Sequence, residues 1–479
     1  RFVRPCFNDA HVHMASAGRA KLTLDFTGVR SLAEMQRRIR ARLRDLQPGE
    51  WLRGHGWDQS LWDPPRVPTR YDLDAVAKDH PMLFSRVDGH SAVANSLALK
   101  LAGITRDTPD PKGGEIVRDS QGEPTGWLKE EATGLVERLI PEPTRAQRKR
   151  ALELAMQDAA AHGVTSVQDD SVRDGDWENF LAYQELQREG KLIVRVTEWL
   201  DFNAPVETLK AQQAQAGTTD PWLKTGALKA ITDGSGGSHT AAMLEPFADE
   251  PGNRGILLYE PEKLKQMVVE RDAAGFQIAL HAIGDRANRI ALDAFAAVRA
   301  ANKRRDARHR IEHAQFVHPN DFSRFGKLEV IASVEPCHLL SDMRWAPALL
   351  GPARAAEGYA FGTLRKSGAM LAFGTDYPVE LVNPFRGFYA AVTREFETGG
   401  PAGGWLPEEK LTLEEAIQGY TVGSAYAEFE EAHKGTLAPG KFADLIVLSQ
   451  DITRVPPREL LNTEVLLTMV GGKIVYEKK

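Results

Sequence analysis

Cysteine is nearly absent, with only Cys6 and Cys337 in 479 residues. Two cysteines without zinc-finger spacing exclude a disulfide framework and favour a reducing, cytoplasmic compartment. No apolar run approaches the ~20 residues that a bilayer span needs, so no membrane partner is expected. Neither sign of charge dominates, since 60 basic and 66 acidic residues leave a formal net charge of -6. That balance argues against a nucleic-acid or anionic surface as the main partner. A small molecule remains as the expected partner, with a homodimer as an open option.

What is present starts at once with Phe7 Asn8 Asp9 Ala10 His11 Val12 His13. In an extended strand, side chains two apart point the same way, so His11 and His13 present two imidazoles together. A pair two apart also arises by chance, and the rest of the chain decides between the two readings.

The segment from 20 to 145 is punctuated by Pro64, Pro65, Pro68, Pro109, Pro111, Pro141 and Pro143. It holds a helical stretch from Ser31 to Leu46 and strand-like runs at Glu50 to Gly56 and Pro81 to Val87, and reads as an insertion folded over something else. From Thr144 the pattern changes. Thr144 and Gln147 have capping-box spacing, Gly163 stands where a helix stops, and a strand follows from Val164 to Gln168. Further strands are expected near 192–200, 226–232, 276–282, 308–314, 330–334 and 369–374, separated by helix signals. Asp285 is expected as a helix N-cap.

With the opening strand this makes eight, the count of a (β/α)8 barrel, with an open doubly wound sheet as competitor. His11 and His13, Lys229 and Asp233, His281, His313 and Asp376 fall at the ends of strands one, four, five, six and eight. A barrel gathers such ends around one mouth, whereas an open sheet spreads them along a line. After a second capping box at Thr412 and Glu415, the tail turns to β-structure, with Ala443 to Leu448 and a hairpin flanking Gly471 and Gly472.

Several ordered motifs carry a resemblance: FNDAHVH, DGHSAVANS from Asp88, HGVTSVQD from His162, KAITDGSGGSHTAAM from Lys229, LHAIGDRAN from Leu280, RIEHAQ from Arg310, FGTDYPVE from Phe373 and KGTLAPGKFADLIVL from Lys434. Over nearly its whole length the chain resembles the amidohydrolase superfamily, in particular the YtcJ-like group (amidohydrolase family 3) that includes N-substituted formamide deformylases. The resemblance implies a distorted TIM (β/α)8 barrel with a large insertion after strand 1 and a small C-terminal β-sandwich remnant. The expected divisions are 1–19 as first barrel strand and loop, 20–145 as a lid over the mouth, 146–433 as the remaining barrel, and 434–479 as sandwich strands. The strands that relatives carry upstream do not precede Arg1, so the tail is expected to expose unpaired edges and to favour association.

The resemblance further implies one or two divalent metal ions, commonly zinc. His11, His13 and Asp376 would bind the more buried ion and His281 and His313 the more exposed one. Lys229 matches a lysine that is carbamylated and bridges two ions in binuclear relatives; alone it reads sooner as a barrel-mouth cation or a surface lysine, since an unmodified ammonium repels metal. Imidazole and carboxylate suit zinc, and an open coordination position lowers the pKa of a bound water toward ~7. Asp376 would then serve as general base and acid in cleavage of an amide or N-formyl C–N bond. The rivals are a mononuclear deaminase or cyclic amidase with Lys229 unmodified, and a non-catalytic scaffold. Candidate substrate contacts are His90, Glu130, His338 and Asp342, with His239 where relatives commonly have arginine. Trp57, Trp62 and Trp127 would line an apolar pocket or simply pack. Cys6 replaces a usual glycine and Asn8 an apolar residue.

Overall fold

The computed structural model describes residues 2–44, 46, 49–217 and 220–479. Eight parallel strands form one sheet in the order of the chain: Phe7–Val12, Val164–Asp169, Arg195–Asp201, Leu223–Ile231, Ile278–Ala282, Arg310–His313, Ile331–Val334 and Leu371–Phe373. Each lies within about three residues of its expected position. The first strand is buried at all six positions, as parallel strands covered on both faces must be. Helices between them supply that cover. One of the two longest, Arg145–Ala161, starts at the full Thr144 and Gln147 capping box.

The first and eighth strands bring the sheet almost to closure. The Asp376 amide donates to the His11 carbonyl at 2.8 Å, and the His13 amide donates to the Tyr377 carbonyl at 2.7 Å. Just before these positions in the same seam, the Asp9 carboxylate accepts the Thr375 amide at 2.9 Å and its hydroxyl at 2.6 Å. Gly374 permits this approach, since a Cβ there would lie 2.8 Å from the His11 backbone nitrogen. The seam is therefore built from the residues that also shape the mouth.

Between the first strand and the helix at Arg145 stands a second, mixed sheet of six strands from Leu24–Asp25 to Pro124–Glu130. It has apolar cores of its own. Trp57 and Trp62 lie in one of them with Phe26, Met35, Ile39 and Phe84, their indole N–H groups donating to the Phe84 and Val29 carbonyls at 2.7 and 3.0 Å. The pocket-lining role considered for Trp57 and Trp62 is thus corrected to core packing, and Trp127 packs against the same core. The helix expected over Ser31 to Leu46 runs Leu32–Leu43; Asp45, within the expected range, lies outside the described residues.

The tail forms a four-stranded antiparallel sheet ordered Phe2–Pro5, Leu445–Leu448, Val465–Val470, Lys473–Glu477. Two expectations change here. Phe2–Pro5 does not belong to the barrel with the rest of 1–19, and the Leu445–Leu448 edge, expected bare, is paired along its length by those residues. Hydrogen bonding chose this partner, because an extended segment next to an open edge satisfies its backbone groups there. No helix among the described residues is long and apolar enough to cross a membrane.

The small sheet is tied to the barrel through Asp444, just before its second strand. Its carboxylate accepts from Arg195 Nε at 2.7 Å and Nη2 at 2.9 Å, at the start of barrel strand three. The guanidinium also lies 3.9 Å from the Phe442 ring centroid. Removing one partner leaves a buried, uncompensated charge, so Asp444→Ala is expected to lower unfolding stability by about 3–5 kcal/mol. Urea denaturation followed by far-UV circular dichroism measures this; a loss below about 1 kcal/mol would refute the tie.

Candidate metal centre

The strand ends converge on one space at the barrel mouth. The His11 and His13 ring centroids lie 5.3 Å apart, His11 and His313 5.2 Å, and His281 and His313 4.6 Å. Asp376 Oδ1 lies 2.9 Å from His13 Nε2 and 3.7 Å from His11 Nε2. His313 and Asp376 both hold left-handed backbone, φ +72° and +55°, a conformation that costs a residue with a Cβ roughly 1 kcal/mol or more and gathers at functional sites. The five predicted histidine and aspartate residues are together.

Each histidine has one ring nitrogen at hydrogen-bond distance from an oxygen. His11 Nδ1 meets Glu312 Oε2 at 2.8 Å. His13 Nδ1 meets the Asp170 carbonyl at 2.5 Å, and His281 Nε2 meets the Gly234 carbonyl at 3.1 Å. His313 Nδ1 meets Glu335 Oε2 at 2.8 Å. Carbonyls and the ionised Glu312 only accept, so the committed nitrogens of His11, His13 and His281 carry a proton, whereas burial pushes the Glu335 carboxyl beside His313 up to about 7. This is how metal-ligating histidines are held.

Behind His11 stands a fully buried ion pair. Arg310 donates to Glu312 Oε1 from Nε at 2.5 Å and to the Ala10 carbonyl and Ser333 hydroxyl from Nη2 at 2.9 and 2.7 Å. Gln168 takes a further bond from its Nη1. Against burial, Arg310 and His11 hold the Glu312 carboxyl far below its usual range. It therefore stays an acceptor for His11.

Burial lowers His313 to about 3 and His281 well below its ordinary value, which keeps both rings neutral. Burial also opposes the charged form of Asp376, but His13, His11 and His313 more than offset it and hold that carboxyl well below the usual range. For His13 burial acts downward, and Asp376 and Asp170 raise it to about 9. Asp376 Oδ1 is buried without a hydrogen-bond partner among the described residues, a place that a divalent cation can take with release of a proton from His13.

The donor set fits such an ion. His11, His13 and Asp376 offer ligand atoms within 4.8 Å of one another, as do His313, His338 and Asp376. His338 thus enters as a ligand candidate, its Nε2 3.6 Å from Asp376 Oδ2. His281 and Lys229 fall in neither group. Lys229 Nζ is paired with the Asp170 carboxylate and lies 3.3 Å from His11 Nε2.

The remaining candidates divide. His90 and Glu130 reach the mouth from the insertion, with the His90 ring 5.3 Å from that of His281. Asp342 turns to Tyr359 and Gln315. His239 points at Asp249, 3.1 Å away, and packs on Phe247. Trp57 is excluded by its place in the insertion core. Gly284, not Asp285, caps the following helix; the Asp285 carboxylate instead accepts the Leu244 amide at 2.7 Å, tying down the segment that follows strand four.

Sequence reading missed Asp170, Glu312 and Glu335. Glu312 lies inside RIEHAQ, Asp170 one residue past HGVTSVQD, and Glu335 directly after barrel strand seven, so a search for acids at every strand end would have found the latter two. With Glu335→Gln, His313 loses its carboxyl partner while the shape is kept. Metal affinity is expected to fall about 10–100-fold, measured by competition with a chelating dye; unchanged affinity with intact fold would refute that role.

The chain matches the amidohydrolase family over residues 1–476. It is 36% identical to the protein LONG AFTER FAR-RED 3 of Arabidopsis thaliana, with 99% of this chain and 82% of that one covered. It is 29% identical to an N-substituted formamide deformylase of Arthrobacter pascens, with 99% and 88% covered. Among solved structures, an uncharacterized metal-dependent hydrolase from Pyrococcus horikoshii superposes with a TM-score of 0.75 at 30% identity, covering 95% of this chain and 87% of that one.

Proposed function

The chain belongs to the amidohydrolase family, and from that membership we propose that it is a metal-dependent amidohydrolase. It cleaves a carbon–nitrogen bond of amide or N-formyl type in a small organic substrate. The observation that carries this reading is the gathering of His11, His13, His313 and His338 around Asp376, with ligand atoms within 4.8 Å of one another in two groups. The name of the formamide deformylase relative and that of the metal-dependent hydrolase structure point the same way. Two buried, unpaired cysteines fit a reducing, cytoplasmic setting.

His11, His13 and Asp376 would hold one divalent ion, and His281, His313 and His338 stand where a second would be shared. Imidazole and carboxylate donors favour zinc. When bound, the ion supplies Lewis acidity toward the substrate carbonyl and toward water. Asp376, kept ionised by its histidine neighbours, takes a proton from the attacking water on Oδ2, the oxygen facing His338, and returns it to the leaving nitrogen. The C–N bond breaks with the carbonyl carbon gaining the water oxygen, so the products are a carboxylic acid and an amine. The His281 and His313 side chains are almost wholly covered, which keeps bulk water from them.

A second reading has its own observation. Carbamylation of Lys229, which would bridge two ions, needs a neutral amine, whereas Lys229 is paired with the Asp170 carboxylate. That pairing favours a single ion and the related deaminase or cyclic-amidase chemistry. Elemental mass spectrometry of protein purified without chelator separates the two, with about two ions per chain for the bridged centre and about one otherwise.

Chelation is expected to abolish hydrolysis of N-substituted formamides and simple amides, and zinc to restore it. Asp376→Asn should lower kcat by about 10²–10⁴-fold, the usual worth of a positioned acid–base group. Full activity of metal-free protein, or of the Asp376→Asn variant, would overturn the proposal.

A further inference from the structure

The insertion contributes more than cover. His90 lies in the turn between the insertion strands Met82–Arg86 and Ser91–Ala94, and its Nδ1 is 3.0 Å from each carboxylate oxygen of Glu130. Glu130 is itself buried and held in left-handed backbone at φ +47°. Its Oε1 accepts the Thr240 hydroxyl at 2.6 Å, so a residue of the segment after barrel strand four grips the insertion. Gly234 makes room for this contact. A Cβ there would lie 2.1 Å from the Thr240 hydroxyl oxygen and 2.4 Å from Glu130 Oε1.

The same turn is fastened a second time. Asp88 accepts the His90 amide at 3.1 Å and the Ser235 and Ser238 hydroxyls at 2.9 and 2.8 Å. Arg86 closes on Asp88 at 2.6 Å. The imidazole is thus fixed in place and in rotation, with Nδ1 committed to Glu130 and the ring against His281 at the mouth. No hydrogen-bond partner for His90 Nε2 is found among the described residues. A buried polar network this complete that leaves one ring nitrogen unused at a mouth is arranged toward a ligand.

We propose that His90 binds the substrate through Nε2, hydrogen-bonding a polar atom of an acyl group seated at the mouth, and that Glu130, held by Thr240, is the residue that positions it. Substrate recognition at the metal centre is then shared between the barrel and its insertion. The proposal rests on the hydrolase reading for its kinetic arm only.

Three variants test it: His90→Ala, Glu130→Gln and Glu130→Ala, each assayed for metal content and thermal stability before kinetics on an N-substituted formamide. His90→Ala is expected to keep its metal and lower kcat/KM at least about 30-fold, mainly through KM. Glu130→Gln, which can still accept from Nδ1, should fall less than Glu130→Ala. Values of kcat/KM within 2-fold of the parent for a folded, metal-loaded His90→Ala protein would overturn the proposal.

An arm independent of turnover uses acetohydroxamate as probe on zinc-loaded protein with ¹⁵N-labelled histidine. The His90 Nε2 resonance is expected to shift on binding, and His90→Ala to weaken binding about 10-fold. Binding of the probe without either effect would overturn the proposal. The expected shift and weakening in a protein that cleaves no amide would support it while removing the hydrolase reading.

Discussion

Arg310 is a cation sealed inside the barrel, and the rest of the centre is arranged around satisfying it. A buried guanidinium is tolerated only when its donors are met, and here strands one, two, six and seven supply Ala10, Gln168, Glu312 and Ser333. The pairing keeps Glu312 ionised, and an ionised Glu312 can only accept from His11 Nδ1. The lone pair of His11 is directed to the mouth as a consequence. Ligand orientation is thus set one layer below the ligands, in the packed interior.

Barrel closure is the second constraint. Asp376 lies 363 positions after His13 in the chain, yet stands beside it because the first and eighth strands exchange backbone hydrogen bonds and Asp9 clamps Thr375. The seam and the ligand set are one structure. The insertion adds a third constraint from above, through Asp88 and Glu130 gripping the segment after strand four. Its own apolar cores let it hold its shape while it does so.

Where sequence reading and structure part, the reason is tertiary in each case. Phe2–Pro5 is extended in either reading, but only the folded chain brings the Leu445–Leu448 edge beside it. Asn8, unexpected among apolar residues, donates to the buried Glu428 at 2.5 Å, a partner 420 positions away. Tryptophans at 57 and 62 look alike for pocket or core, and neighbours decide for core. His239 has the chemistry of a mouth residue but pairs with Asp249, a local charge ten residues on.

The sequence by itself determined the alternation of strands and helices, the eight-strand count, the capping boxes at Thr144 and Thr412, and the ligand types at the strand ends. Each of these depends on local periodicity or on spacing within a few residues. Only the tertiary structure decided that His338 joins Asp376 while His281 stands back, that Asp170 engages Lys229, and that Arg310 and Glu312 orient His11. Those contacts cross from strand to strand, and their energies come from burial and from the lack of any other partner. No pattern along the chain records how deep a charge will lie or what will face it.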